Sequence, residues 1–322
     1  MKKLRDYLPA LKYGAKVMPN DLAGMIGLPS VGNIFYVDPG AGSDTANAGT
    51  DPNDAFATAT QALSAMTADN DDVCIVAATS STGRTSEAAE IDWNKRRTHV
   101  VGNGPARKIN PRNGISFASS ASTPCLTVSA TNCSFTNLSL AVFEDINVLV
   151  NVTAAYNTFN FVHFQGIGNA TTGDDTAARS LVITGADETQ VTNSTIGLDT
   201  VARSAANASL ELTGTCARTL IQNCDFPMFA DNAGAFWLKA DTGNCYERYL
   251  KLDGCEFMNP DGSSSTTLTV GFDLSTSGNG DIYMLNCNWR GATDLANNYT
   301  RLFSNSPVVN TANQGLVIVT AT

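Results

Sequence analysis

Four side chains able to do chemistry recur at one point of a repeating pattern: His163, Asp225, Glu256 and Asn288. Asp225 and Glu256 stand 31 residues apart. If successive repeats stack as strands, such neighbours lie ~4.8 Å apart, near the ~5 Å between the carboxyls of a retaining glycosidase. One carboxyl could then protonate a leaving group while the other attacks or activates water. The plainer reading is a solvated outward column, and it is preferred here. No catalytic residue is therefore assigned; were the protein an enzyme, Asp225 and Glu256 would be the pair. Asp174-Asp175 and Glu144-Asp145 sit among Gly, Thr and Asn and read as turns rather than a metal site. His99 reads as a strand residue, and Lys95-Arg96-Arg97 as a solvated loop. The eight Cys lack the Cys-x-x-Cys spacing of zinc ligands. Neither a metal nor a cofactor is expected.

What must position these residues is an internal repeat of about 30 residues. Its clearest copy is Leu220-Ile221-Gln222-Asn223-Cys224-Asp225-Phe226, followed by Leu252 to Phe257 and Met284 to Trp289. Earlier copies read Val191 to Ile196, Phe159 to Phe164 and Ala130 to Phe135. Centred on 133, 162, 194, 224, 255 and 287, the column three residues before is apolar throughout. Two residues after the centre stands Phe, Ile or Trp; the centre itself is small, and Cys in four copies. Centre and centre+2 share a face of a strand, whereas centre−3 has the wrong parity unless the backbone bends between them. Asn132, Asn193, Asn223, Gly254 and Asn286 precede the centres, and these types enter the left-handed region most cheaply. Phe161 departs from that column. Short strands joined by such bends at constant period describe a parallel β-helix, its column cysteines stacking as small buried packers.

Only 16% of the 322 residues are charged and 43% are apolar, so one elongated domain with a large core fits the length. The net charge of −10 argues against nucleic-acid binding by the body. No run approaches a membrane span. Lys12 and Lys16 interrupt any apolar stretch after Met1-Lys2-Lys3-Leu4-Arg5, which speaks against a secretory signal and for folding in a reducing cytoplasm. The Asn-x-Ser/Thr sites then belong to turns.

Residues 1–33 differ from the rest. They hold five basic and two acidic residues, a charge of +3, against 15 basic and 28 acidic beyond them. Pro9, Pro19, Pro29 and four Gly break any long helix. The segment reads as a docking arm offering Lys2, Lys3, Arg5, Tyr7, Leu8, Leu11, Lys12 and Lys16 to a partner; a segment folded back on its own first coil is the alternative. Residues 34–70 supply a first strand, Ile34 to Val37, and a helix with Phe56, Ala59, Leu63 and Met66 on one face, capped by Asp54. That helix covers the open solenoid end. The coils fill 71–296. Residues 297–322 form a C-terminal cap whose apolar Leu316, Val317, Ile318 and Val319 call for cover by self-association.

Tyr36-Val37-Asp38 through Gly42-Ser43-Asp44, then Gly49-Thr50 and a helix ending in Ala62-Leu63, resemble the start of pectate-lyase-like right-handed β-helix proteins. Val73 to Ala77 and Thr98 to Gly104 are similar to the first coils of that superfamily, which includes phage tail spikes and capsid-decorating spikes. The resemblance implies an all-β, right-handed parallel β-helix with an N-terminal cap helix and an extended N-terminal arm. Related lyases use a calcium cluster with a basic residue, and no motif here matches it. Three functions follow: a phage capsid decoration or cement spike, a tail-spike-type polysaccharide depolymerase, or a non-catalytic glycan-binding adhesin. The basic arm, acidic body and few stacking aromatics in outward columns favour the first. Its partners would be the major capsid protein or another virion protein, two further copies of itself in a homotrimer, and a cell-surface glycan. Its location would be the virion, assembled in the host cytoplasm.

Overall fold

A computed structural model describes residues 31–78, 84–118, 123–260 and 265–305, with the backbone of 308–310 and 315–317. Two long parallel sheets run along the molecule. The first, of 16 strands, follows the order Ile34–Val37, Asp72–Val76, Thr98–Gly102, Ser134–Val142, Thr158–Gln165, Gln190–Thr192, Thr219–Gln222, Tyr249–Asp253, Asp281–Leu285, Leu302–Ser304. A second track of the same sheet carries the other six, Arg84–Glu87, Gly114–Phe117, Thr195–Ile196, Asp225–Pro227, Glu256–Met258 and Asn288–Arg290. The other sheet has eight strands, from Ile91–Trp93 to Ala292–Ala296. Most coils contribute three short strands, Ser134–Val142 and Thr158–Gln165 run on through their bends, and every pairing in both sheets is parallel.

The bends lie where Asn and Gly predict them. Asn193, Asn223, Gly254 and Asn286 all have φ between 49° and 65°. Phe161, which breaks the sequence column, takes φ 54° as well. That coil therefore bends like the others, at the steric cost an L side chain bears there.

One copy of the repeat is set differently from the sequence alignment. Phe135 pairs with Phe159, Leu138 with Val162 and Leu140 with Phe164. The true copy is therefore Phe135 to Leu140, centred on Leu138, with its bend at Asn137 (φ 57°). Cys133 belongs to the preceding turn, which has its own left-handed Asn132. Two Asn-containing stretches, Asn132 to Phe135 and Asn137 to Leu140, lie five residues apart in this coil, and the residue pattern favours the first because Cys133 is small and Leu138 is not. Only the lateral pairing distinguishes them.

The cysteine column is then Cys224, Cys255 and Cys287, all buried. Each Sγ donates to the carbonyl of the apolar residue one coil back: Val191 at 3.4 Å, Ile221 at 3.5 Å and Leu252 at 3.5 Å. Ser194 fills the same position, its Oγ donating to Thr192 O at 2.7 Å and accepting from Val162 N at 2.9 Å. The column needs a small group because it satisfies backbone that the bend would leave unpaired. Aromatic rings fill the core beside it: Phe135 on Phe159, centroids 5.0 Å apart, and Phe226 on Phe257 at 4.6 Å. Trp93 and Trp237, isolated in the sequence, are fully buried.

A helix, Ala59–Ala65, lies between the first two strands, with Ala59, Ala62 and Leu63 buried. Asp54 does not cap it. Thr58 is the N-cap, its side chain accepting from Gln61 N, while Asp54 ends a separate 3-10 turn, Pro52–Asp54. Buried Glu87 adds to the cap from the coil beneath, accepting from Ala59 N at 2.9 Å and Thr60 Oγ1 at 2.7 Å. Lys95 holds the other end through Ser64 O and Met66 O, at 2.8 and 2.6 Å. Arg96 and Arg97 stay exposed in their loop, as expected for a solvated one, and form surface pairs, Arg96 with Asp69 at 2.6 Å and Arg97 with Asp71.

Candidate functional site

Lateral pairing threads one outward ladder through eight coils: Arg84, Gly114, Ser139, His163, Thr195, Asp225, Glu256, Asn288. The predicted neighbours Asp225 and Glu256 do stand side by side. Their surroundings differ from expectation. Glu256 is exposed, but Asp225 is buried and His163 still more so. A loop from Asn103 to Asn113 crosses the ladder and covers them.

The neck of this strap is tied by side-chain amides. Asn113 donates to Asn137 O, and Asn137 to the carbonyls of Gly102 and Gly104. Its crossing part then bonds residue by residue. Lys108 Nζ reaches Asp225 Oδ1 at 3.0 Å. The backbone N of Asn110 donates to His163 Nδ1 at 2.9 Å, and Asn110 Oδ1 accepts from Arg84 Nη2 at 2.8 Å. Gln165 closes the network, accepting from Arg84 at 3.2 Å and donating to Ser139 Oγ at 2.7 Å. The guanidinium of Arg84 also stands 5.5 Å over the ring of Phe143.

The protonation of His163 follows. Since Nδ1 accepts a backbone hydrogen, Nε2 carries the proton and donates to Gly197 O at 3.0 Å. Burial lowers its pKa to about 4, with nearby Arg84 acting in the same direction. A neutral imidazole with both nitrogens engaged is a structural bracket, not a proton shuttle. His99 is likewise a buried strand residue, bonded to Ser134 Oγ at 2.7 Å, its pKa lowered by burial against the pull of Asp71. The solvated column expected from the sequence holds at Glu256 and Asn288 and fails at Asp225 and His163. The strap lies more than 50 residues from the groups it covers, which no local pattern reveals.

The turn carboxylates have structural duties. Asp175 accepts from Asn147 Nδ2 at 2.8 Å and Ala177 N at 2.8 Å; Asp145 accepts from Thr172 Oγ1 at 3.1 Å. Among the described residues no group of three His, Cys, Asp or Glu is placed to hold a metal. The arm residues Lys2, Lys3, Arg5, Tyr7, Leu8, Leu11, Lys12 and Lys16 lie outside the described residues, as do Ile318 and Val319. Leu316 and Val317 belong to an antiparallel hairpin with Val308 and Val309.

One surface feature escaped the sequence reading. On the column four residues before the centre, Lys251, Tyr283 and Phe303 are lateral neighbours. Tyr283 and Phe303 are exposed and stacked, centroids 5.7 Å apart and planes 24° from parallel. Phe303 lies on a truncated last coil that breaks the 30-residue period, so the column could not be followed to it.

No protein-family model matches the sequence, and no curated protein does. Likeness appears in the chain path. Pectin methylesterase PemA from Erwinia chrysanthemi superposes with a TM-score of 0.52 at 12% identity, over 88% of this chain and 92% of that one. Pectate lyase Pel9A gives 0.50 at 15% identity, over 80% of this chain and 63% of that one. The fold is the right-handed parallel β-helix. Geobacillus virus E2 ORF18 gives a TM-score of 0.49 at 12% identity, over 90% of this chain and 63% of that one. At such identities the likeness is one of fold, and function must be argued from this chain's own surface.

Proposed function

We propose that this chain is a non-catalytic structural protein of a phage particle, a capsid decoration or cement spike. Its N-terminal arm grips the shell and its β-helix stands outward. The observation that carries the non-catalytic half is the strap. A glycosidase pair needs both carboxyls open to a sugar, whereas the Asp225 side chain is 12% exposed and bonded to Lys108. What supports the docking half is the charge asymmetry between a basic arm and an acidic body. The partner would be the major capsid protein or a neighbouring virion protein, and a trimer would multiply weak contacts through effective concentration.

A second reading is favoured by the stacked Tyr283 and Phe303. Flat exposed rings rimmed by Lys251, Asp281 and Arg301 suit the apolar face of a sugar with its hydroxyls outward. A decoration spike that also binds surface glycans would use both.

The backbones of Gly32 and Asn33 are already bonded to Asp71 and Asp72 of the first coil, so the decisive deletion stops at residue 30. Lacking residues 1–30, the protein should fold, keep its oligomeric state and no longer decorate particles in electron micrographs. The variant Lys2→Glu, Lys3→Glu, Arg5→Glu should weaken attachment, most at low salt. Normal decoration by the truncated chain would place docking elsewhere. Asp225→Asn with Glu256→Gln should leave particle function intact; loss of a polysaccharide-degrading activity in that folded variant would favour the depolymerase.

A further inference from the structure

Residues 93–143 hold six basic side chains and no acidic one, in a body that is otherwise acidic. The strand Thr98–Gly102 divides the six. Before it, Arg96 and Arg97 pair with Asp69 and Asp71, and Lys95 is bonded to carbonyls at the end of the cap helix. After it come Arg107, Lys108 and Arg112 of the strap, and of these Lys108 alone meets a described carboxylate, Asp225. Arg107 and Arg112 are exposed, with no ion pair among the described residues.

Arg84 adds a further cation without a counter-charge. It pairs laterally with Gly114, two residues on from Arg112. Its guanidinium donates to Ser139 Oγ, Asn110 Oδ1 and Gln165 Oε1, all neutral groups. Burial, and then the charge of Arg112, lowers its pKa, so the two guanidiniums lie close enough to repel. The stretches 79–83 and 119–122, which flank these strands in the chain, contain no acidic residue.

Apolar side chains share this surface. Ile109 of the strap is 57% exposed, and Phe143, its ring 5.5 Å from the Arg84 guanidinium, is 47% exposed. The strap itself is fixed by the amides at its neck and by Asn110 on His163, while Pro105 and Pro111 restrict its backbone. Little ordering is then left for a partner to impose. A single exposed arginine is ordinarily only solvated. Several unneutralised ones on one rigid loop, rimming exposed apolar groups, match the anatomy of a protein interface. Carboxylates are the partners that guanidiniums bind best. The branched aliphatic Ile109 suits a peptide side chain, whereas a sugar stacks on flat rings.

We propose that the strap is a docking surface for an acidic segment of a partner protein, with Arg84, Arg107 and Arg112 taking its carboxylates and Ile109 and Phe143 taking an apolar side chain between them. The surface does not depend on the arm: its loss leaves attachment through residues 1–30 intact.

The full chain is titrated into a fluorescein-labelled peptide of glutamates with interspersed leucines, at low ionic strength, and the anisotropy is followed. A chain of net charge −10 repels such a peptide as a whole, so saturable binding marks a local basic surface. Arg107→Ser with Arg112→Ser should weaken binding roughly tenfold, as two lost ion pairs imply. Neither side chain ties the strap down, so the fold is kept. Ile109→Ser, or serine for leucine in the peptide, should weaken it several-fold. The charge-matched control Arg248→Ser with Arg290→Ser, and the arm variant Lys2→Ser, Lys3→Ser, Arg5→Ser, should keep most of the wild-type affinity. No binding, or a loss in either control as large as in the strap variant, overturns the surface. Tighter strap-dependent binding of polygalacturonate overturns it too, in favour of a glycan site. Self-association that the strap variant abolishes does the same, in favour of a second copy as occupant.

Discussion

Burial gives individual side chains measurable signatures. His163 is held neutral, with its pKa lowered to about 4. Unfolded, an imidazole titrates near ~6.5, so protons favour the unfolded chain between those values. Stability is complete above about pH 6.5 and falls as the pH drops toward 4, by about 3 kcal/mol in all. His99, also lowered by burial, adds in the same direction. Urea midpoints measured at pH 7 and 4.5 should fall for the wild type and fall distinctly less for His163→Gln. Equal drops would mean that the strap does not bury the imidazole. The aromatic stack is a second such case. Phe226 is fully buried against Phe257, and a carboxylate in its place would have no counter-charge. Phe226→Asp should cost more than about 4 kcal/mol, enough to abolish folding. A soluble variant with unaltered melting would show that this column faces outward.

At the scale of one coil, the controlling element is the left-handed bend. It lets two strands of opposite parity aim at one core, and its cost falls on the residue before the centre. Asn223, at φ 53°, also donates to Asn193 Oδ1 at 3.3 Å, so the bends are linked from coil to coil. Asn223→Ala should destabilise by about 1–2 kcal/mol. Asn223→Gly should cost well under that, because glycine bears no steric penalty there. Chemical denaturation of the two variants tests the ranking; a harmless alanine would deny that the bend carries strain. The thiol column complements the bends. The hydrogen bond with Cys224, and then burial, push the Cys255 thiol up to about 12 against the opposite pull of Cys287, so it stays protonated and donates to the Ile221 carbonyl.

The whole molecule is a stack that must end, and the proposed trimer would form at its C-terminal end. The hairpin of Val308–Asn310 and Gly315–Val317 is a sheet of its own, joined to neither long sheet among the described residues. Such a strand is a template for another chain. Cyclic association through Leu316 to Val319 would close that edge with three copies about an axis. Light scattering should return three times the chain mass for the wild type. Leu316→Asp with Val317→Asp should return the single-chain mass with the β-helix intact. A monomeric wild type would remove the trimer, and with it the multivalent arm.

Much of this was open to reading from residue types. A period of about 30, apolar columns flanking a small centre and Asn or Gly before it dictate coils, bends and core, since each coil repeats one local solution. The adjacency of Asp225 and Glu256 follows from that period alone. Tertiary structure decided what the period cannot encode. It set the register of the Ser134–Val142 coil, where two similar Asn-containing stretches compete and only the pairing of Phe135 with Phe159 chooses between them. It laid the Asn103–Asn113 strap over the ladder, turning two apparently solvated groups into buried partners of Lys108 and Asn110. It brought Arg84 beside Arg112 and Phe143, three residues whose types say nothing of one another at their places in the chain. Columns are local rules repeated, and a sequence shows them. Covering loops and buried charges arise from contacts between distant segments, whose energies depend on solvent exclusion that only the assembled fold creates.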